Sequence, residues 1–349
     1  MKKLALLLGV SCVALGALAG GGSASPAVGA PVMTGLHNPR GLAFDKHGSL
    51  YVAEAGQGGS APCAVFSGEP VLRCYGPTGR ISRLRDGVQE VVADGLPSNA
   101  PAGGNGAVGP ANIAIEGNHL FVTEGLGANP LNPAIQPFRE LGQGTLIKVH
   151  PGSHWDVVQD IAAFEAAENP VGTPDSNPYG IIDIGGHRVL TDAGGNDLLE
   201  VHGNHVAVLG TFPSRPNRNT DAVPTTVTPG PDGAYYVGEL SGAPFNVGAA
   251  NVYRVSDGQA TVYCSGFSFI ISMAWGPDGH LYVLQFASAP GLTGPGILYR
   301  IDSGCTKTPV LTDLFTPGGL AFGADGAAYI SQGSILASGG TVWRFDLES

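Results

Sequence analysis

Positive charge is scarce in this sequence: 17 Lys and Arg residues stand against 28 Asp and Glu, a formal net charge of −11. An acidic surface repels phosphate backbones and anionic lipid, so neither nucleic acid nor a membrane surface is expected as a partner. Long apolar runs are missing after the first thirty residues. None reaches the roughly 18–20 residues of a membrane span, which excludes membrane insertion by helices. Cysteines number only 5, with no close C-x-x-C and no Cys/His ligand spacing, so the zinc reading has no support. H-E-x-x-H, a Walker loop, a Rossmann fingerprint and a G-x-S-x-G elbow are absent too.

What is present is glycine, 55 residues, and proline, 27, set between short runs rich in Val, Ile, Leu and Tyr. That pattern belongs to an all-β protein with many turns. Residues 1–30 stand apart. Lys2 and Lys3 precede an apolar run from Leu4 to Ala19, and small residues follow to Ala30. This is the plan of a secretory signal peptide, with cleavage after Ala19 or between Ala24 and Ala30. Gly9-Val10-Ser11 is a poor lipobox for Cys12. Without its two lysines the net charge becomes about −13, and residues 31–349 form the expected secreted, extracellular, monomeric domain. Its four cysteines, Cys63, Cys74, Cys264 and Cys305, predict two disulfides. Cys63 and Cys74 would pin one Gly/Pro-rich loop; Cys264 and Cys305, at similar places in successive repeats, would link neighbouring units.

The chain repeats itself. GLAFDKHGSLYVAEAG at 41–56 returns as GLAFGADGAAYISQG at 319–333. Aligned, the first strand of each unit begins at Gly41, Asn112, Gly180, Thr226, Ser272 and Gly319, the last four spaced 46, 46 and 47 apart. Six four-stranded units of this period predict a six-bladed β-propeller. The last unit lacks a fourth strand. VMTGLH at 32–37 matches VVADGL and VLTDLF at that place, so the N-terminal strand is expected to complete the last blade.

One residue ends the second strand of every unit: Glu54, Glu124, Asp192, Glu239, Gln285 and Gln332. These predict a ring at one mouth of the central channel, with Arg40, Asn112, Tyr179, Thr225 and Ser272 preceding the first strands on that face. Two readings compete. Each acid or amide accepts hydrogen bonds from backbone N–H groups that the turns must satisfy. Alternatively, carboxylates and amides bind a hard cation such as Ca²⁺ through oxygen.

Every long connection is expected on that same face, including the short helix AAFEAAEN at 162–169. Phe66, Tyr75, Phe138, Tyr179 and Phe245 would supply apolar walls to a cleft there. Of the histidines only His37 falls on the ring side, leaving it or a ring carboxylate as the available base. His47, His119, His187 and His280, like His150, His154, His202 and His205, sit at turns on the other face.

SNPYGI (176–181), LTDAGGNDLLEV (190–201), GPDGAYYVGELSGAPFNVGAANVYRV (230–255) and CYGPTGRISRL (74–84) resemble the ScyD/ScyE family of exported bacterial propellers, across essentially the whole mature chain. More distantly the repeats are similar to NHL repeats and to gluconolactonase and paraoxonase propellers. The lactonase resemblance implies a divalent metal held by Glu54, Asn112, Asp192 and Glu239, although Gln285 stands where an acid is expected. The resulting expectation is a secreted propeller that binds a small ligand or an extracellular protein on its loop-rich face. The alternative is a metal-dependent hydrolase or lactonase with a Ca²⁺-type ion at the channel mouth.

Overall fold

The computed structural model describes residues 29–66, 71–169, 172–212 and 220–347. The expected secretory leader lies outside the described residues except for Gly29 and Ala30, and these two already belong to the first strand. That strand, Gly29–Leu36, pairs antiparallel with Gly340–Phe345 and closes the ring. The fold therefore begins two residues before the expected domain boundary. Gly29 is required there, because a Cβ would lie 2.2 Å from the Phe345 ring.

Six antiparallel sheets make six blades. Their inner strands are Pro39–Phe44, Pro110–Glu116, Pro178–Ile184, Pro224–Pro229, Ile270–Trp275 and Gly319–Phe322. Numbered I to VI in that order, the blades pack through apolar faces. Ile113, Val122 and Ile147 of blade II lie against Tyr51, Ala53 and Ile81 of blade I. Burying each large aliphatic side chain contributes about 1.5–3 kcal/mol. Polar links sit nearer the axis. Ser331 Oγ donates to the Arg40 carbonyl at 2.7 Å, Thr123 to that of Tyr179 at 2.6 Å, and Thr225 to that of Ile270 at 2.7 Å.

The inner strands of blades I to V each carry a register shift between their first residue and their third or fourth. Such a bulge re-aims side chains. Glycine lets neighbouring inner strands meet at that level. A Cβ on Gly319 would stand 2.6 Å from the Arg40 carbonyl oxygen, and one on Gly41 would stand 2.9 Å from Asn112 Cα.

All long connections leave one face, as the repeat implies. They carry helices α1 (Gln136–Glu140) and α2 (Ile161–Glu168), the second capped by Asp160 accepting from the Ala163 N–H. On the other face the turns are short, and Asp232, Asp278 and Asp325 accept hydrogen bonds from Tyr236, Tyr282 and Tyr329. The described residues contain two disulfides, Cys63–Cys74 and Cys264–Cys305. The second joins blades IV and V, but from unlike places. Cys264 lies in the outer strand Gln259–Phe267, and Cys305 lies in the turn Ser303–Cys305. No helix among the described residues is long and apolar enough to cross a membrane.

Candidate functional site

The six residues that end the second strands share one register. Glu54, Glu124, Asp192, Glu239 and Gln285 lie opposite the first residue of their own inner strand: Pro39, Pro110, Pro178, Pro224 and Ile270. Gln332 ends the second strand of blade VI. All six are buried.

Most are engaged with nearby chain. Glu54 accepts the His37 N–H at 2.6 Å and Arg80 Nε at 2.8 Å, and bonds Ser82 Oγ at 2.5 Å. Asp192 accepts the N–H groups of Asn177, Gly194 and Gly195 and the Ser176 hydroxyl. Gln285 holds the Ser268 N–H and Gln332 the Phe315 N–H, both at 2.8 Å. Glu239 accepts the Asn251 N–H at 2.8 Å. Four of these acceptors thus fix the chain as it crosses from one blade to the next. Glu124 differs: neither carboxyl oxygen has a hydrogen-bond partner, and burial pushes its pKa well above the usual range. It is held as the neutral acid.

The mouth of the channel opens into a cavity of about 410 Å³. None of the six strand-ending residues lines it. Their successors do: Ala55, Gly125, Ala193, Leu240 and Phe286. The second residue of the inner strand in blades I to V supplies the other tier: Arg40, Ala111, Tyr179, Thr225 and Ile271. Asn112 and Ser272, expected in that tier, lie one residue further along and line a separate space of about 300 Å³ towards the opposite face. The bulge accounts for the difference, since consecutive residues reach different levels of the channel.

The cavity is asymmetric. Apart from Arg40 and Tyr179, blades I to III contribute mostly small residues, while Leu240, Phe245, Ile271, Phe286 and Leu292 of blades IV and V form an apolar wall. Of the aromatics expected in a cleft, Tyr179 and Phe245 are present. Phe66 and Phe138 instead pack edge to face at 5.1 Å beneath the loops, with Tyr75 against them. The His37 ring is not among the lining groups; burial, then Arg80, lowers its pKa against an opposing Glu54.

The residues named for a divalent metal do not fit one. Glu54 and Asp192 are saturated by donors, Asn112 sits at the other level, and among the described residues no group of three or more His, Cys, Asp or Glu side chains can hold an ion.

A second acidic group, which the repeat gave no reason to expect, lies behind the cavity wall at blade III. Glu165 of α2 and Asp197 are buried, and Asp192 and Asp175 lie close enough to raise the Glu165 pKa. Burial, then Asp192, pushes Glu165 to about 8 and Asp175 to about 6. A glutamate set among apolar residues in the helix IAAFEAAE was the available signal.

Fold and site together define a six-bladed β-propeller with an apolar cavity at its loop-face mouth. Structural likeness places the chain with other propellers. A gluconolactonase from Xanthomonas campestris aligns with a TM-score of 0.57 at 11% identity, covering 92% of this chain and 90% of that one. A calcium-binding regucalcin from Agrobacterium tumefaciens aligns at 0.55 and 12%, covering 93% and 95%. A streptogramin B lyase aligns at 0.51 and 13%, covering 90% and 97%. At such identities the likeness concerns the fold alone. No protein-family model and no curated protein matches the chain.

Proposed function

We propose that this protein is exported and binds a small apolar molecule in the loop-face cavity, without catalysis. The carrying observation is the cavity's composition: about 410 Å³, walled by Leu240, Phe245, Phe286 and Leu292, with few polar groups. Ligand sites combine such walls with a small number of oriented polar groups. Among the described residues no His, Cys, Ser, Asp or Glu lines the space, which leaves Thr225 and Tyr179 as its only hydroxyl-bearing groups. Thr225, the lining hydroxyl nearest to a nucleophile in kind, donates to the Ile270 carbonyl. The concave shape favours a small molecule over a protein surface. Two disulfides suit an oxidising compartment outside the cytoplasm.

The test is fluorescence titration of the mature protein with N-phenyl-1-naphthylamine, a neutral apolar probe. Saturable one-to-one binding is expected, weakened at least tenfold by Leu240→Glu. Absence of saturable binding, or binding indifferent to that substitution, overturns the reading.

A further inference from the structure

Resting on that cavity reading, we infer that the natural ligand is an organic carboxylate with an apolar body, its carboxylate held by Arg40. Among the described residues that line the cavity, Arg40 is the only charged one. Its guanidinium offers five N–H donors. Within the protein one bond is recorded, Nη2 to the Ala107 carbonyl at 2.9 Å, and Arg40 forms no ion pair among the described residues. Half-buried at the wall of the space, the guanidinium keeps most of its donors available to an anion.

The protein has acids in excess, yet keeps them from this cation. Glu54, on the neighbouring strand of the same blade, is taken by Arg80 at 2.8 Å, by Ser82 and by the His37 N–H. The carboxylate that would neutralise Arg40 is thereby committed elsewhere. The backbone of Arg40 is fixed at the seam of blades I and VI, where its carbonyl accepts Ser331 Oγ at 2.7 Å.

The rest of the cavity selects the ligand's other end. Arg40 shares its side with Ala55, Ala107 and Ala111, which leave room for an approaching headgroup, and the large side chains belong to blades IV and V. Tyr179 also lines the space, although its hydroxyl is buried away from solvent. A planar guanidinium matches the two oxygens of a carboxylate. A single cation amid apolar residues suits a monoanion better than a phosphate dianion.

The experiment displaces N-phenyl-1-naphthylamine with 1-naphthoate, 1-naphthamide or 1-naphthyl phosphate, using mature wild-type protein, Arg40→Gln and Arg40→Lys. Naphthoate is expected to bind at least tenfold more tightly than naphthamide to wild type. In Arg40→Gln the two should fall within twofold of one another, with the neutral probe's own affinity measured for each variant; Arg40→Lys should recover part of the difference. Equal affinities in wild type, or naphthoate binding unchanged in Arg40→Gln, overturns the inference and leaves the cavity reading intact. Tighter binding of naphthyl phosphate than of naphthoate overturns the carboxylate assignment. Failure of every probe, including naphthoate followed by thermal shift, overturns both.

Discussion

Glu165 of helix α2 and Asp197 of blade III are neighbouring buried carboxyls: neither Asp197 oxygen has a hydrogen-bond partner, the proximity of Glu165 raises the Asp197 pKa, and no Lys, Arg or His pairs with either among the described residues. Two such groups cannot both ionise in a dry site, so the pair retains a proton. Glu165 Oε2 accepts Asn169 Nδ2 at 2.8 Å, and Gly195 has no Cβ because one would stand 2.7 Å from the Glu165 carboxyl.

Stability should therefore fall as pH rises across this pair. The folded Glu165 keeps its proton to about pH 8, whereas the unfolded chain loses it near 4.5. Between these values the folded state binds more protons, and raising the pH favours unfolding. Denaturant melts from pH 5 to 8.5 should show this loss, and Glu165→Gln should flatten it. An unchanged pH profile in Glu165→Gln would count against the retained proton.

Glu124 is a polar group that the fold does not use. Both its oxygens are buried without partners, a state that costs about 1–3 kcal/mol. Glu124→Met is expected to stabilise the protein by an amount of that order, measured by urea unfolding. Destabilisation beyond about 1 kcal/mol would show that the carboxyl has a use in the fold.

Gly319→Ala should loosen the seam of blades VI and I. The new methyl would meet the Arg40 carbonyl oxygen at 2.6 Å and Gly41 Cα at 3.0 Å, both backbone atoms with little freedom to move. Overpacking of this kind costs about 1–3 kcal/mol. Equilibrium unfolding measures the loss, and naphthoate binding should weaken with it, because Arg40 is placed by the same seam.

The disulfides should contribute unequally. Cys264–Cys305 spans 41 residues and Cys63–Cys74 spans 11. Loop-closure entropy assigns about 4 kcal/mol to the first and about 3 to the second. Paired Cys→Ser variants, compared by chemical denaturation, should rank in that order. The blade IV–V variant should also weaken probe binding more, since those blades carry the apolar wall.

Much of the architecture was legible because it repeats. Six copies of a strand-turn-strand phrase fixed blade number, and a missing fourth strand with a matching segment near the N-terminus fixed the closure between Gly29–Leu36 and Gly340–Phe345. The strand ends were legible too, since Glu54, Glu124, Asp192, Glu239, Gln285 and Gln332 each close a second strand. Where those side chains point was not. The bulge in the inner strands moved Asn112 and Ser272 to the lower space, and local sequence carries no mark of it.

By itself, then, the sequence determined the blade count, the closure and the crowding of loops on one face. These follow from periodicity and spacing along the chain. Only tertiary structure decided that Ala55 rather than Glu54 meets the cavity, that Arg40 forms no ion pair among the described residues, and that Glu165 lies near Asp197. Each of those depends on which side chain a neighbouring blade or loop has already engaged, and that is a relation across space between residues far apart in the chain.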